Sequence, residues 1–514
     1  MLSTAARVTG INAVTKAKGI LKLETSPDLR KIKMPRQPQL PKAAMEGLKF
    51  ALSTCSRPPK QLQYEADVMC EKLANRRFPA SSDVIKGARR EILKKMDEKG
   101  LGPLDEAVYG QKINKAHTQY VNAKVGKLLR QSSYNWKPLD LESREKAAAY
   151  ALATLSPSFS EIYRVLCEFD HVKDFKPHSV LDFGSGIGAA FWACNEKFKD
   201  NVDEYTLVDT SENMSRFSMD IMRKNEGATG KLAHQNVNFR RSLVPSLETK
   251  YDLVIAHRVL IEYVSRESRL ELIESLWKRT KRYLVLIESH FEDNFKAILD
   301  ARDYLIREGQ DINFDKVDFN QFGGKTDSKL SSYENYHHFK ANWPKDKPLP
   351  TFGDPATVFA PCPHDLECPK LGLLNARKQT CSFNVKYQDI RADGKASKKR
   401  NGTGSTSFSY MILEKGERQT NVDSGPRLLN YCKGNGHFTC QGCTAFNGIQ
   451  HYVISKKNKS LFEQTKGLNV GDKIPYNISV EKGLSDDTEL FEGAINVQAE
   501  IDKLVKINDT EHNY

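Results

Sequence analysis

Asp182-Phe-Gly-Ser-Gly-Ile-Gly188, DFGSGIG, stands where an apolar run, Ser179 to Phe183, meets a helical pattern that begins near Ala189. Glycine is needed at such a junction because the backbone turns sharply and approaches a ligand with no β-carbon in the way. On glycines alone, Gly184, Gly186 and Ala189 fit a nicotinamide-dinucleotide fingerprint, a tight structural turn or another cofactor loop. The surroundings narrow the fold. Further short apolar runs at Tyr205 to Val208, Tyr251 to Ala256 and Tyr283 to Ile287 alternate with helical patterns such as Arg266 to Thr280 and Asn294 to Arg307. That alternation predicts an α/β fold with a parallel, doubly wound sheet.

Asp182 selects among the ligands. An acid two residues before the first of three alternate glycines is similar to motif I of class I S-adenosylmethionine-dependent methyltransferases, where it faces the amino group of the cofactor's methionine part. Asp182, Gly184, Ser185, Gly186 and Gly188 are therefore candidate cofactor contacts. The second strand ends in Asp209, followed by Thr210, Ser211 and Met214, and an acid there can accept hydrogen bonds from a ribose. Where amino-methylating enzymes often carry Asn-Pro-Pro-Tyr, and pyrimidine C5 enzymes supply a cysteine nucleophile, this chain reads Ala256-His257-Arg258-Val259-Leu260. His257 is a candidate pocket contact and could act as a base, but neither of those chemistries is provided for.

At 514 residues the chain is long enough for two or three domains. Its 78 Lys and Arg against 65 Asp and Glu give a formal charge of +13, which suits a polyanionic partner or a basic organellar protein without one. No apolar run approaches the eighteen or so residues that span a bilayer, so no membrane insertion is expected. The first twenty residues hold Arg7, Lys16 and Lys18, no acid, and several Ser, Thr and Ala. That composition fits a mitochondrial presequence, or a disordered start, better than a secretory signal.

Residues 1–43 read as presequence and Pro/Lys-rich linker, and 44–170 as an all-helical region whose last helix is interrupted at Pro157 and resumes near Ser160. A Rossmann-like core follows over 171–310. Residues 311–425 hold polar insertions, with 391–407 as a flexible basic loop containing Lys395, Lys398, Lys399 and Arg400, and a cysteine-rich segment. Residues 426–514 hold a C-terminal hairpin, Phe438 to Ala445 and Ile449 to Ser455 around Phe446-Asn447-Gly448, which completes the core and the metal site, then a tail.

Of ten cysteines, six crowd into the last third: Cys362, Cys368, Cys381, Cys432, Cys440 and Cys443. In a reducing compartment such crowding speaks for metal rather than disulfides. Thiolates from the stretch PCPHDLECP and a C-x-x-C on a strand suit zinc or an iron-sulfur cluster. Proline after Cys362 and Cys368 resembles ferredoxin-type ligation, whereas His364 leaves room for a Cys3His zinc site. Unliganded buried cysteines are the plain alternative, and Cys432 is expected simply to pack.

EIYRVLCEF before LDFGSGIG, then AHRVLIEY, LWKRTKRYLVLIE, PCPHDLECP with CSF after it, FSYMIL and GHFTCQGC together resemble the methyltransferase-like assembly factors of the mitochondrial small ribosomal subunit, whose yeast relative was long counted as a small-subunit protein. The resemblance covers roughly residues 145–455. It implies a degenerate methyltransferase in the mitochondrial matrix that can hold S-adenosylmethionine, carries a four-cysteine [4Fe-4S] cluster and binds small-subunit rRNA among ribosomal proteins and other assembly factors. An active rRNA methyltransferase is the alternative. Carried over by position, the metal ligands are Cys362, Cys368, Cys381 and one cysteine of GHFTCQGC, with Cys443 favoured over Cys440 by its distance from the Gly-His pair. One departure is Ser289-His-Phe-Glu-Asp-Asn294, where the family usually reads Pro-Gly-Thr-Pro and then Gly.

Overall fold

The computed structural model describes residues 20–25, 29, 31–100, 106–131, 136–172, 174–223, 231–317, 336, 339–341, 343–344, 347, 349–371, 380–392, 402–418, 425–445 and 448–481. Residues 1–19 of the expected presequence, the basic residues 395–400 and the turn residues Phe446 and Asn447 lie outside them.

The central sheet runs from β2 (Ser179–Phe183) through β3 (Glu204–Val208), β4 (Val237–Arg240), β5 (Tyr251–His257) and β6 (Thr280–Ser289) to β7 (Ala356–Ala360) and β9 (Thr403–Lys415), with β8 (Phe383–Gln388) paired to β9. The spatial order is β4-β3-β2-β5-β6-β9-β7. The pairs from β4 to β6 are parallel and β9 runs antiparallel to both β6 and β7. Parallel strands wound outward both ways from β2, closed by one reversed strand inside the edge, form the sheet of a class I methyltransferase. Its last strands come from beyond residue 310, so the sheet is not confined to 171–310. Thr403 to Ser407, expected within a flexible loop, is ladder to β8.

One sheet face carries α5 (Arg144–Leu166), α6 (Ala189–Phe198) and α7 (Glu212–Met222), and the other carries α8 (Arg266–Arg279) and α9 (Glu292–Gln310). Side chains on β9 alternate accordingly: Phe408, Tyr410 and Ile412 join the first core, Met411 and Leu413 the second. The helical region is α1 (Lys42–Ser53), α2 (Pro59–Asn75), α3 (Ser82–Asp97), α4 (Glu106–Gln131) and α5. Of these, α1, α2 and α5 share the first core, while α3 and α4 pack on each other around Val121 and Val125.

The expected break at Pro157 does not occur; α5 is one helix from its Ser143 cap to Leu166. An interior proline costs about 3 kcal/mol, whereas fully burying a side chain such as Phe159 or Ile162 contributes roughly 1.5–3 kcal/mol each. Both are buried, with Leu155, Val165 and Leu166, so packing overrides the local cost. Ser156 Oγ, beside the proline, donates to Gln388 O at 2.6 Å and pins the helix to β8.

A second sheet, β10 (Arg427–Lys433), β11 (His437–Cys443) and β12 (Ile449–Ser455), is antiparallel and has its own apolar core with α10 (Lys459–Thr465). The expected hairpin thus forms, within a separate sheet. The expected linker 21–43 contains most of β1 (Ile20–Thr25), which pairs with β13 (Tyr476–Glu481). Among the described residues no helix is long and apolar enough to cross a membrane.

Candidate functional site

The glycine loop has the backbone its sequence demands: Gly184, Gly186 and Gly188 have φ of 71°, 52° and 81°, a region costly for other residues. Space is as restrictive as torsion at Gly188, where a β-carbon would meet Met222 Cε at 2.5 Å and Ser218 Oγ at 2.7 Å. Gly184 and Ser185 donate to Val208 O at 2.8 and 3.0 Å. Asp209 accepts from Gly186 N and Ser211 N, both at 2.8 Å. The carboxylate expected to meet a ribose therefore also ties the loop to the start of α7, each oxygen keeping a further lone pair. Met214 and Tyr150 stand 3.6 and 3.7 Å from where a β-carbon on Gly186 would lie. Ser185 is buried, and Thr210 is exposed.

Asp182 is 3% exposed, and its Oδ2 has no hydrogen-bond partner among the described residues. Burial first, then the neighbouring Asp209, pushes its carboxyl up to about 8. An orphaned buried oxygen is costly until a donor reaches it, so this site fits an amino-bearing ligand. Because the folded value lies above the unfolded one near 4, the fold loses stability as pH rises from there to about 8, with no further loss above. Asp182→Asn is expected to melt higher than wild type at pH 8 by an amount worth up to roughly 5 kcal/mol, to converge with it near pH 4, and, on the S-adenosylmethionine reading proposed below, to bind that cofactor more weakly. Melting curves across pH and calorimetric titration check both.

At the end of β5, where sequence reasoning looked for catalytic chemistry, the fold places a closed ion network. Glu161 of α5 is fully buried and accepts from His257 Nε2 at 2.8 Å, Arg258 Nη2 at 2.6 Å and Thr406 Oγ1. Burial would raise its carboxyl, but Arg258 and His257 outweigh that and hold it near about 2. Burial lowers His257 more than Glu161 raises it, so the imidazole stays neutral near pH 7 and donates. His257 bridges α5 to β5. In the departing stretch after Glu288, Asn294 Nδ2 donates to Glu288 Oε2 at 3.0 Å, and Leu260 N donates to Oε1 at 2.7 Å.

About the far strands, four cysteines distant in sequence line one cavity: Cys362, Cys368, Cys381 and Cys443, with His364, Lys370 and Arg427. Asp365 fastens their loop, accepting from Val358 N at 2.7 Å and Arg418 Nε at 2.7 Å. Ser409 Oγ on β9 donates to Cys381 O at 2.9 Å. Cys440 and Cys443 leave opposite faces of β11: Cys440 joins the core of the second sheet beside Tyr452, and Cys443 faces the cavity. Cys432 is half-buried on β10. His364 Nδ1 donates to Leu366 O at 3.1 Å, which turns the Nε2 lone pair toward Cys443 Sγ, 3.5 Å away. Burial pushes the Cys362 and Cys368 thiols up to about 12 and about 11, and Cys443 well above its usual value. Among the described residues no group of three or more His, Cys, Asp or Glu converges closely enough, as it stands, to hold a metal ion. The donor set nonetheless suits a soft metal, since buried thiols are released as thiolates when one binds.

Sequence reasoning missed the buried charges around this cavity. Arg427 is 4% exposed, grips Glu168 with Nη1 and Nη2 at 3.0 and 3.1 Å, and donates from Nε to Pro361 O at 2.9 Å. Glu168 also accepts from Arg164 Nη1 and from Tyr410 OH, at 3.1 and 2.9 Å. The available signal was spacing: Glu161, Arg164 and Glu168 recur at i, i+3 and i+7, which puts three charges on one helical face among apolar neighbours such as Ile162, Val165 and Leu166.

The sequence profile described as mitochondrial small ribosomal subunit Rsm22 matches residues 144–314 and 352–475. The human mitochondrial ribosome assembly protein METTL17 is 25% identical over 479 residues, 92% of this chain and 90% of its own length. Rsm22-cox11 tandem protein 2 of Schizosaccharomyces pombe, also mitochondrial, is 23% identical over 366 residues, 65% of this chain, which spans only 43% of that protein. Solved structures that match include the plantazolicin methyltransferase BpumL, 13% identical with a TM-score of 0.23 over 65% of this chain and 98% of that one. A putative RNA methyltransferase of Pyrococcus horikoshii is 7% identical with a TM-score of 0.25 over 50% and 84%. With the profile spanning both the glycine loop and the cysteine-bearing half, the chain belongs to the Rsm22 family of the mitochondrial small ribosomal subunit.

Proposed function

We propose that the chain works in the mitochondrial matrix as an assembly factor of the small ribosomal subunit, binding its rRNA alongside ribosomal proteins and other factors without transferring methyl groups. The observation that carries this reading is that the family match runs through both the methyltransferase core and the cysteine cavity. The formal charge of +13 supports a polyanionic partner. The Glu161–His257–Arg258 network, standing where catalytic groups are otherwise placed, supports the non-catalytic reading. The buried thiols support a [4Fe-4S] cluster held by Cys362, Cys368, Cys381 and Cys443, with zinc as the alternative in which His364 Nε2 serves as a donor; the cluster orders the region between core and second sheet. S-adenosylmethionine, a methyl donor when bound, is accommodated by the loop, with Asp182, Asp209 and Met214 as contacts.

A second reading, an active rRNA methyltransferase, is favoured by the intact loop and the orphaned Asp182 oxygen. Complementation separates the two. In cells lacking the protein, small subunits are expected to fall severalfold, and Gly184→Arg with Gly186→Arg is expected to restore them. Rescue that fails with a stably folded loop variant, together with loss of a methylated small-subunit nucleotide, establishes the enzyme. Normal small-subunit levels without the protein overturn both.

A further inference from the structure

The cysteine loop is braced from an unexpected quarter. Arg302, on α9 of the methyltransferase core, is fully buried. Its Nη2 donates to Leu366 O, inside the loop between Cys362 and Cys368, and its Nη1 pairs with Asp303, while Nε has no partner among the described residues. Its charge acts on Cys362, Cys368 and His364. Arg427, from the second sheet, lines the cavity and bonds Pro361 O, one residue before Cys362. Two buried guanidinium groups thus hold the Pro361–Cys368 loop from different layers of the protein, each through a backbone carbonyl.

Burying an arginine is expensive unless its donors and charge are answered. Arg427 is answered by Glu168. Among the described residues the only acid paired with Arg302 is Asp303, which is 46% exposed and so screened by solvent. A cation whose charge is only partly answered therefore sits against the thiol-bearing loop, at the Leu366 carbonyl. Four thiolates around either zinc or a [4Fe-4S] core carry net negative charge, and that charge is what such a cation answers.

We propose that Arg302 is a positioning residue of the thiolate centre, fixing the loop through Leu366 O and supplying positive charge that retains the anionic metal–thiolate assembly and eases its reduction. The proposal rests on the [4Fe-4S] reading above. It ties metal retention to a helix of the methyltransferase core, so that the core is part of the metal site and not only its neighbour.

The test uses full-length protein purified without oxygen: wild type, Arg302→Met and Arg302→Lys, each compared for melting behaviour, rate of iron loss to a chelator and midpoint potential. Outer-shell partners are typically worth 10- to 100-fold in metal affinity, so Arg302→Met is expected to lose iron at least about tenfold faster. Its potential is expected to be more negative, because adding an electron beside a removed cation is harder. Arg302→Lys keeps the charge but not the two-pronged geometry, so it is expected to restore the potential and still lose iron faster. Retention and potential both equal to wild type in Arg302→Met overturn the proposal and leave the cluster reading standing. Should Arg302→Met fail to fold, an unchanged iron-loss rate in Arg302→Lys overturns it. Wild-type protein that binds no iron overturns the cluster and this inference together.

Discussion

Protein carrying Cys362→Ser and Cys381→Ser is expected to purify colourless, whereas the wild type, on the proposed cluster, is expected to show broad absorption near 400 nm and about four irons per chain. The expectation follows from the cavity. These two cysteines come from a loop and from the approach to β8, and both line the same space as Cys368 and Cys443. Serine keeps the size but supplies a hard, poorly acidic oxygen, so half of the soft ligand set disappears. Structural metal binding contributes on the scale of ~10 kcal/mol to the state that holds it. Its loss is therefore expected to be felt well beyond the ligands, as protease sensitivity of the Pro361–Cys368 loop and of the second sheet from Arg427 to Ser455, and as lower association with the small subunit. The central sheet is expected to survive, because Asp365, Val358 and Arg418 still fasten the loop to β7. Iron, sulfide and zinc analysis decides the matter: unchanged iron in the double variant moves the ligands elsewhere, and one zinc in the wild type replaces the cluster while leaving the fold intact.

Glu168→Ala is expected to destabilise the protein by about 3–5 kcal/mol, the cost of stripping the partner from a buried charge. Glu168 is 1% exposed, and Arg427, Arg164 and the Tyr410 hydroxyl all converge on it. Without the carboxylate two guanidinium groups remain in the interior, one of them beside the cysteine cavity. Arg427→Met on top of Glu168→Leu is expected to recover part of the loss, since an apolar pair replaces a broken ionic one. The pH dependence has a definite sign. Burial would raise the Glu168 carboxyl, but Arg427 and Arg164 outweigh it and hold it near about 2. A depressed folded value makes this stabilisation fully present above the unfolded value near 4.5 and lost as pH falls from there toward 2. Denaturant unfolding of wild type and Glu168→Gln at pH 7 and pH 3 should show the gap between them narrowing in acid. A gap that is constant with pH would show that the network does not carry the charge assigned to it.

Much of this was legible in the sequence because it was local. Asp182 to Gly188 dictates a strand, a turn and a helix within ten residues, and four of the parallel strands announce themselves as short apolar runs. What escaped was non-local. Pro157 reads as a break only when α5 is considered alone; its helix persists because α2, α6 and β8 surround it. Thr403 to Ser407 reads as loop until β8 supplies a partner. The buried arginines are illegible for the same reason: nothing in AILDARDYLI or GPRLLNYC says that Arg302 and Arg427 turn inward, since the carbonyls and carboxylate that receive them lie 64, 66 and 259 positions away. The cysteines could be grouped by composition, but β-strand alternation alone separates Cys440 from Cys443, and which face meets the cavity depends on how the second sheet docks.

The pairing of β1 with β13 has a mechanical consequence. Ile20 lies opposite Glu481 and Thr25 opposite Tyr476, so the two ends of the described chain emerge side by side from the same end of a six-residue ladder. Force that draws those ends apart acts across the strands and parts their hydrogen bonds one after another, as a zipper opens, instead of loading them together as shear would. Leu21, Leu23 and Ile478 then leave the small core of the second sheet. A pull on the C-terminal side therefore loads the lobe that carries Cys443 first, whereas on the N-terminal side the chain next meets the edge of the central sheet, where Lys386 N on β8 donates to Arg36 O.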